Sequence, residues 1–430
     1  MNPQKQVSLN LNVRGLGQSA TLAIKDRCRA LRRSGREVYD FGLGQSPFPV
    51  PEPVVEALRE AACQKDYLPV MGLPELREAV AAHHRRTDGL NVSADNVLVG
   101  PGSKELMFLV QLVYYGEIML TPPCWVSYWP QARILGRRFS LLHSDFGRRW
   151  KVDAAQLGQS IELVGDDHRP RLLVLNYPSN PTGATYDEDE LKALAEVARR
   201  FGLIVLSDEI YGQLHYHGRH VSIARFYPEG TIVSSGLSKW CGAGGWRLGT
   251  FTFPNELDWL ANALATVASE TYTSVSAPIQ HAAIRAFSGG PLIEDYLAHT
   301  RRILAAVARR ICPILNEAGV RVHEPDGAFY LFLDFNPLAA ALAGRNIQDG
   351  RTLCERLLAE TGVAMLPGAA FGRGRRDLTA RLAFVDFEGA AALEASREAG
   401  LGRPLPSETV ELGCARVVAG VRRIAEWVGS

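Results

Sequence analysis

This sequence has no apolar run near the ~20 residues that a membrane-spanning helix needs, which excludes a helical membrane protein. Its opening stretch, MNPQKQVSLNLNV, lacks the apolar centre of a secretory signal. Cysteine is sparse: Cys28, Cys63, Cys124, Cys241, Cys312, Cys354 and Cys414 are scattered, odd in number and free of any CxxC pair. That pattern argues against a disulfide framework or a metal site, and for a reducing compartment. A charge surplus is missing too. Lys+Arg number 47 against 46 Asp+Glu, a formal net charge of +1. Nothing in that balance recruits nucleic acid or another polyanion. Basic spots such as RRILAAVARR suit a solvated helix face. No internal repeat or low-complexity linker appears. The expectation is a soluble cytoplasmic protein with no nucleic-acid, membrane or metal partner.

What is present is a regular alternation over 430 residues, enough for two or three domains. SATLAIKDRCRALRRSG is an amphipathic helix stopped by Gly35, and EVYDFGLG a short strand into a turn. PEPVVEALREAACQ and LPELREAVAAHHRR are helices that begin near prolines. NVLVG, EIML, RLLVLNYP, LIVLSDEI and TIVSSGLS are short apolar strands, with helices such as DEDELKALAEVARRFG between them. This βαβ rhythm predicts an α/β fold around a mostly parallel, buried sheet. From about Ile284 long helical patterns take over, broken by GAFYLFLDF and LTARLAFVDF, which predicts a smaller α+β domain.

Ligands of parallel sheets gather at the carboxyl ends of the strands. Four such ends carry unusual residues: Gly100-Pro101-Gly102 opening a helix at Ser103, Asn176 and Asn180, Asp208 with Tyr211, and Lys239. Each alone has an ordinary explanation as an N-cap, a turn or a solvated lysine. Their co-occurrence at one sheet does not. A helix start after a glycine turn suits an anion, and Arg247 grips a phosphate in bidentate fashion. Buried Asp208 suits a protonated nitrogen, while Tyr211 and Asn180 suit a ring oxygen. A lysine beside them has a depressed pKa and forms Schiff bases. Pyridoxal 5′-phosphate offers every one of these handles. Lys239 would then carry the aldehyde and Arg247 the phosphate.

These residues resemble the class I/II aminotransferases, the fold-type-I pyridoxal-phosphate enzymes. SNPTG (179–183), SDEIY (207–211) and GLSKWCGAGGWRLG (236–249) are similar to three family motifs in the expected order. YLPVMGLPELREA (67–79) and PCWVSY (123–128) are similar to two more. The resemblance implies a large domain over 46–285, a small domain over 286–430, and an N-terminal segment, 1–45, that joins the small one. It implies that Lys239 is the Schiff-base lysine and proton shuttle, and that Asp208 pairs with the ring nitrogen. Asn180 and Tyr211 would bond the ring oxygen, and Trp125 would stack on the ring. Gly102, Ser103, Lys104, Ser238 and Arg247 would hold the phosphate. Tyr67 would reach the partner subunit's phosphate, which implies a homodimer. Arg381 would clamp the substrate α-carboxylate near Gly44. The implied activity moves an amino group from an L-amino acid to a 2-oxo acid.

Two departures stand out. Gly236 replaces the Ser or Thr that many members place three residues before the lysine, so a phosphate bond is expected to be lost or moved to Ser234 or Ser235. The segment GLGQSPFPVP (42–51) differs from the usual GEPDF, which leaves specificity open. No arginine for a distal carboxylate is evident. Lys104 resembles a lysine used for that purpose in some members, which would fit aspartate, glutamate or 2-oxoglutarate, and it reads equally well as a helix-start residue.

Rival readings fit these residues less well. GLGQSA (15–20), with Asp40 further on, matches a dinucleotide fingerprint, but the stretch before it alternates with polar residues, unlike a buried first strand. A Ser-x-x-Lys acyl enzyme fails because Gly236 stands where the serine belongs. β-Elimination, γ-replacement, oxidative deamination or cyclisation on the same cofactor, and a non-catalytic cofactor-binding regulator, stay open.

Overall fold

The computed structural model describes residues 8–165, 169–403 and 405–430; the first seven residues of the opening stretch lie outside this range. The chain enters a helix, Ala20–Arg33, whose last turn carries Arg32 and Arg33 against the helix dipole. Gly35, at φ +81, ends it. Residues 8–17 hold no strand, so the glycines at 15 and 17 do not follow one as a dinucleotide loop requires. Strand β1 (Tyr39–Asp40) is only two residues of the predicted EVYDFGLG strand.

The large sheet is built from β2 (Val97–Gly100), β3 (Glu117–Leu120), β4 (Phe139–Leu141), β5 (Arg171–Asn176), β6 (Ile204–Asp208), β7 (Thr231–Gly236) and β8 (Gly249–Thr252). Its order is β2-β8-β7-β6-β5-β3-β4. Only β8 runs against the rest. β5 shows why this sheet is central. Leu172 and Val174 pack into one apolar cluster with Leu206 and Phe251, while Leu173 and Leu175 pack into another with Leu191 and Leu194. Both faces are covered, so the strand reads as a continuous apolar run. Each such leucine stabilises the fold by roughly 1.5–3 kcal/mol.

The covering helices are well capped. In Glu188–Arg200 the Asp187 carboxylate accepts from the Glu190 N–H at 2.8 Å, and Glu190 reaches back to the Asp187 N–H at 2.9 Å. Glu52–Ala61 and Pro74–Asp88 carry proline in their first turns, as predicted.

Five further strands lie outside the large sheet, β1 among them. β9 (Tyr330–Asp334), β11 (Leu366–Pro367) and β12 (Thr379–Ala383) form an antiparallel sheet of order β11-β12-β9. β10 (Val363–Ala364) pairs in parallel with β1. The helix Pro291–Glu317 backs this region, burying Ile303, Leu304, Val307, Ile311 and Leu315. Among the described residues no helix is long and apolar enough to cross a membrane. All seven cysteines are free.

Register brings the predicted strand ends to one edge. Asn176 lies opposite Asp208, and Asp208 opposite Ser234. Gly249, where the antiparallel β8 begins, lies opposite Gly100 on one side and Gly236 on the other.

Candidate active site

Asp208 ends β6 and is 4% exposed. A carboxylate so buried needs donors. The Tyr128 hydroxyl donates to Oδ2 at 2.5 Å and Ser234 Oγ donates to Oδ1 at 3.5 Å. The Asn176 amide fixes the same residue's backbone carbonyl at 2.8 Å. Burial pushes the Asp208 pKa up to about 6, against the Tyr128 bond, the Ile210 N–H and the Lys239 charge. The next residue, Glu209, is buried and anchors the turn that follows β6. It accepts from Ser207 Oγ at 2.7 Å, Ser222 Oγ at 2.6 Å and Tyr177 Oη at 3.4 Å, and its other oxygen meets His220 Nε2 at 2.7 Å.

Lys239 follows β7 in the turn predicted to hold it. Its Nζ donates to the Gly44 carbonyl at 2.7 Å and sits 5.5 Å from the Tyr211 ring centre. Among the described residues it has no ion-pair partner. Burial first, then the Arg381 charge, pushes its pKa down to about 8, with Asp208 pulling the other way. Near that pH the free amine is a nucleophile. Tyr211 is buried, and its hydroxyl meets the Tyr330 hydroxyl at 2.8 Å.

Arg381 lies in the middle of β12 and is 1% exposed. Nη1 donates to Asn180 Oδ1 at 3.2 Å and Nη2 donates to the Gly42 carbonyl. The rings of Tyr330 and Phe371 flank it at 4.9 and 5.1 Å. Its Nε is buried without an acceptor. A guanidinium with an unmet donor and no carboxylate beside it is equipped for an incoming anion. The Asn180 N–H is held by Asn176 Oδ1 at 2.7 Å. The Gly44 carbonyl accepts from Lys239 Nζ at 2.7 Å and lies 3.5 Å from Tyr330 Oη.

The three glycine-bearing strand ends meet beside Arg247. The helix Ser103–Val113 starts at Gly102, whose φ of +93 is left-handed. A Cβ at Gly102 would run into the Arg247 guanidinium. Arg247 itself is held in the left-handed region, at φ +57, and donates to the Gly244 carbonyl at 2.8 Å and the Pro101 carbonyl at 3.3 Å. Such strain persists only where surrounding contacts fix it. A Cβ at Gly249 would strike the Ser103 N–H, and one at Gly236 would lie 2.7 Å from the Leu248 carbonyl oxygen. Gly236 therefore has a steric reason: a serine does not fit there. Of the two expected substitutes, Ser234 and Ser235, Ser234 points its hydroxyl at Asp208 instead.

Lys104 Nζ stands 5.4 Å from the Trp125 ring centre. Partial burial, then the Arg247 charge, draws its pKa down. Trp125 packs edge-on to Tyr128 at 5.3 Å. Ser238 directly precedes Lys239. Tyr67 is 91% exposed and meets none of these groups. Tyr128, Glu209 and Tyr330 were not singled out from the sequence as site residues. The signal for Tyr128 was its place three residues after Trp125, and Glu209 stood inside SDEIY.

An amine that titrates near neutrality, at the carboxyl edge of a parallel sheet, equips an enzyme that links covalently to carbonyl groups. The chain belongs to the class I and II aminotransferases, whose family model matches residues 36–384. It is a transaminase. It is 33% identical over 375 residues to the aspartate/prephenate aminotransferase of Thermus thermophilus, covering 85% of this chain and 93% of that protein. It is 30% identical over 380 residues to the asparagine–oxo-acid transaminase of Streptococcus mutans, covering 85% and 92%. The structure of the Thermus thermophilus aspartate aminotransferase with maleate superposes with a TM-score of 0.81 at 29% identity, over 96% of this chain and 99% of that one.

Proposed function

We propose that this transaminase works through pyridoxal 5′-phosphate on Lys239, with a dicarboxylic L-amino acid and a 2-oxo acid as substrates. The observation that carries the reading is Lys239 itself: an amine lowered to about 8, without a carboxylate partner, set between Asp208 and Arg381. When bound, the cofactor supplies an aldehyde carbon for the amino group and a ring that withdraws electrons from the substrate Cα.

The surrounding residues fit that group. Asp208, braced by Tyr128, keeps the ring nitrogen protonated. Asn180 and Tyr211 donate to the ring oxygen, and Trp125 covers a ring face. Ser103 and Lys104 offer backbone N–H groups to the phosphate, joined by Ser238 and Arg247, while Gly102, whose own N–H is bonded to the Gly100 carbonyl at 2.7 Å, contributes its bare α-carbon. The support is the cradle in which no Cβ fits at Gly102 or Gly249. Arg381, beside Gly44, takes the substrate α-carboxylate on its unmet Nε. Lys239 Nζ would take the proton from the substrate Cα and deliver it to the carbon that carried the aldehyde, a role that suits a group with both protonation states populated near pH 8.

Lys104 is the cation proposed for the distal carboxylate. It has no carboxylate partner among the described residues, and it borders Trp125. The relatives' names support this reading: aspartate recurs in them, and maleate, bound in the Thermus structure, is a four-carbon dicarboxylate. Lys104→Met is expected to raise KM for aspartate or glutamate about 10- to 100-fold and to leave KM for a neutral amino acid unchanged. An equal effect on both substrates would remove Lys104 from this role.

Tyr67, exposed and remote from its own site, is proposed to serve the partner subunit of a homodimer, and the location proposed is the cytoplasm. The deciding experiment follows the visible spectrum of the cofactor-loaded protein during titration with amino acids. Aspartate or glutamate is expected to bleach the lysine-linked band, a 2-oxo acid to restore it, and Lys239→Ala to abolish turnover. Release of ammonia without restoration would favour a lyase, and absence of the band would end the cofactor reading.

A further inference from the structure

Tyr330 comes from β9, in the small antiparallel sheet, yet its hydroxyl lies among groups of the large one. It is 1% exposed. Its Oη stands 2.8 Å from Tyr211 Oη and 3.5 Å from the Gly44 carbonyl. Its ring lies 4.9 Å from the Arg381 guanidinium and 4.8 Å from the Phe329 ring. The Gly44 backbone closes the remaining side, since a Cβ there would collide with the Tyr330 hydroxyl. The ring is held from several directions, and the hydroxyl has two neighbours to choose from.

We propose that Tyr330 is a positioning residue that aims the Tyr211 hydroxyl at the cofactor and ties it to the carboxylate clamp. The proposal rests on the pyridoxal-phosphate reading of the site. A buried phenol needs a partner for its proton. The Gly44 carbonyl is a poor one, because at 3.5 Å it stands at the limit of bonding distance. Tyr211 Oη, at 2.8 Å, is the good one. Tyr330 therefore donates to Tyr211, whose own proton is left to point away from Tyr330, toward the ring oxygen. A hydroxyl that accepts one hydrogen bond donates the next more strongly. Because the same ring stacks on Arg381, the residue that holds the substrate carboxylate and the one that bonds the cofactor share a wall.

A donor at the ring oxygen favours the form in which that oxygen bears full negative charge, which is the high-pH form of the lysine-linked cofactor. Weakening the donor raises the pH at which the visible band changes. Tyr330→Phe keeps the ring and removes one oxygen. The test is a spectral pH titration of cofactor-loaded wild type, Tyr330→Phe, Tyr211→Phe and the double variant, with thermal melting to confirm folding. Tyr330→Phe is expected to raise the midpoint by about half a unit to one unit, and to add nothing in the Tyr211→Phe background. An unchanged midpoint, or the same shift in both backgrounds, overturns the role of Tyr330 alone. A wild-type protein without the band overturns the cofactor reading and this proposal with it. Should Tyr330→Phe fail to fold, Gly44→Ala displaces the same hydroxyl and is expected to shift the midpoint upward; a wild-type midpoint there overturns the proposal.

Discussion

Asp208 keeps its charge only because other side chains hold it. Of its donors, the Tyr128 hydroxyl is the nearest, at 2.5 Å, and it opposes the rise that burial imposes. Tyr128→Phe removes that opposition, so the carboxyl pKa climbs further. A hydrogen bond to a charged group is worth about 1.5–3 kcal/mol, so kcat is expected to fall about 10- to 100-fold. The acid limb of the kcat–pH profile should also move to higher pH, since the carboxylate is lost earlier on acidification. A profile parallel to wild type would show that Tyr128 only fills space. Lys239, Asp208 and Asn180 stood out in the sequence because they gather at or just beyond the strand ends of one predicted sheet, and Arg381 through the family resemblance, as a charge in an apolar run where it is costly unpaired. Tyr128 and Tyr330 were not. A tyrosine in an apolar run reads as core, and what sets these two apart is a hydroxyl partner 80 and 119 residues away.

Strands β5, β6 and β7 were readable because burial on both faces leaves an uninterrupted apolar string. β4 and β8 were not, and β1 was read longer than its two residues, since such short strands owe their form to their neighbours. The reversal of β8 is a tertiary fact with no local signature, yet it creates the glycine row Gly100–Gly249–Gly236 beside which we propose the phosphate site. Gly236→Ala tests that row. Its φ of +154 strains any side chain, and the added Cβ would sit 2.7 Å from the Leu248 carbonyl oxygen. The variant is expected to lose about 2 kcal/mol or more of stability, seen as a lower Tm, together with weaker cofactor retention. A wild-type Tm would mean that the strand end yields at no cost.

At the scale of the whole molecule, we propose the division into 46–285 and 286–430, with residues 1–45 joined to the latter. The pairing of β1 with β10 supports that attachment. The proposed homodimer would have twice the 47.1 kDa mass of one chain. Mixing Lys239→Ala chains with Tyr67→Ala chains is expected to restore activity, because each hybrid contains one site with both native residues. Continued inactivity of a mixture shown to exchange subunits would remove Tyr67 from the partner's site. The β1–β10 contact also has a bearing on how the chain is made. The Asp40 N–H binds the Asp386 carboxylate 346 residues further along at 3.0 Å. On a ribosome adding roughly 5–20 residues per second, that partner emerges on the order of half a minute later. The central sheet, complete at Thr252, can close while the first strand still waits. The newborn protein is therefore expected to pass through a stage in which the Gly44 carbonyl can already meet Lys239 while Asp40, four residues earlier, still lacks its partners.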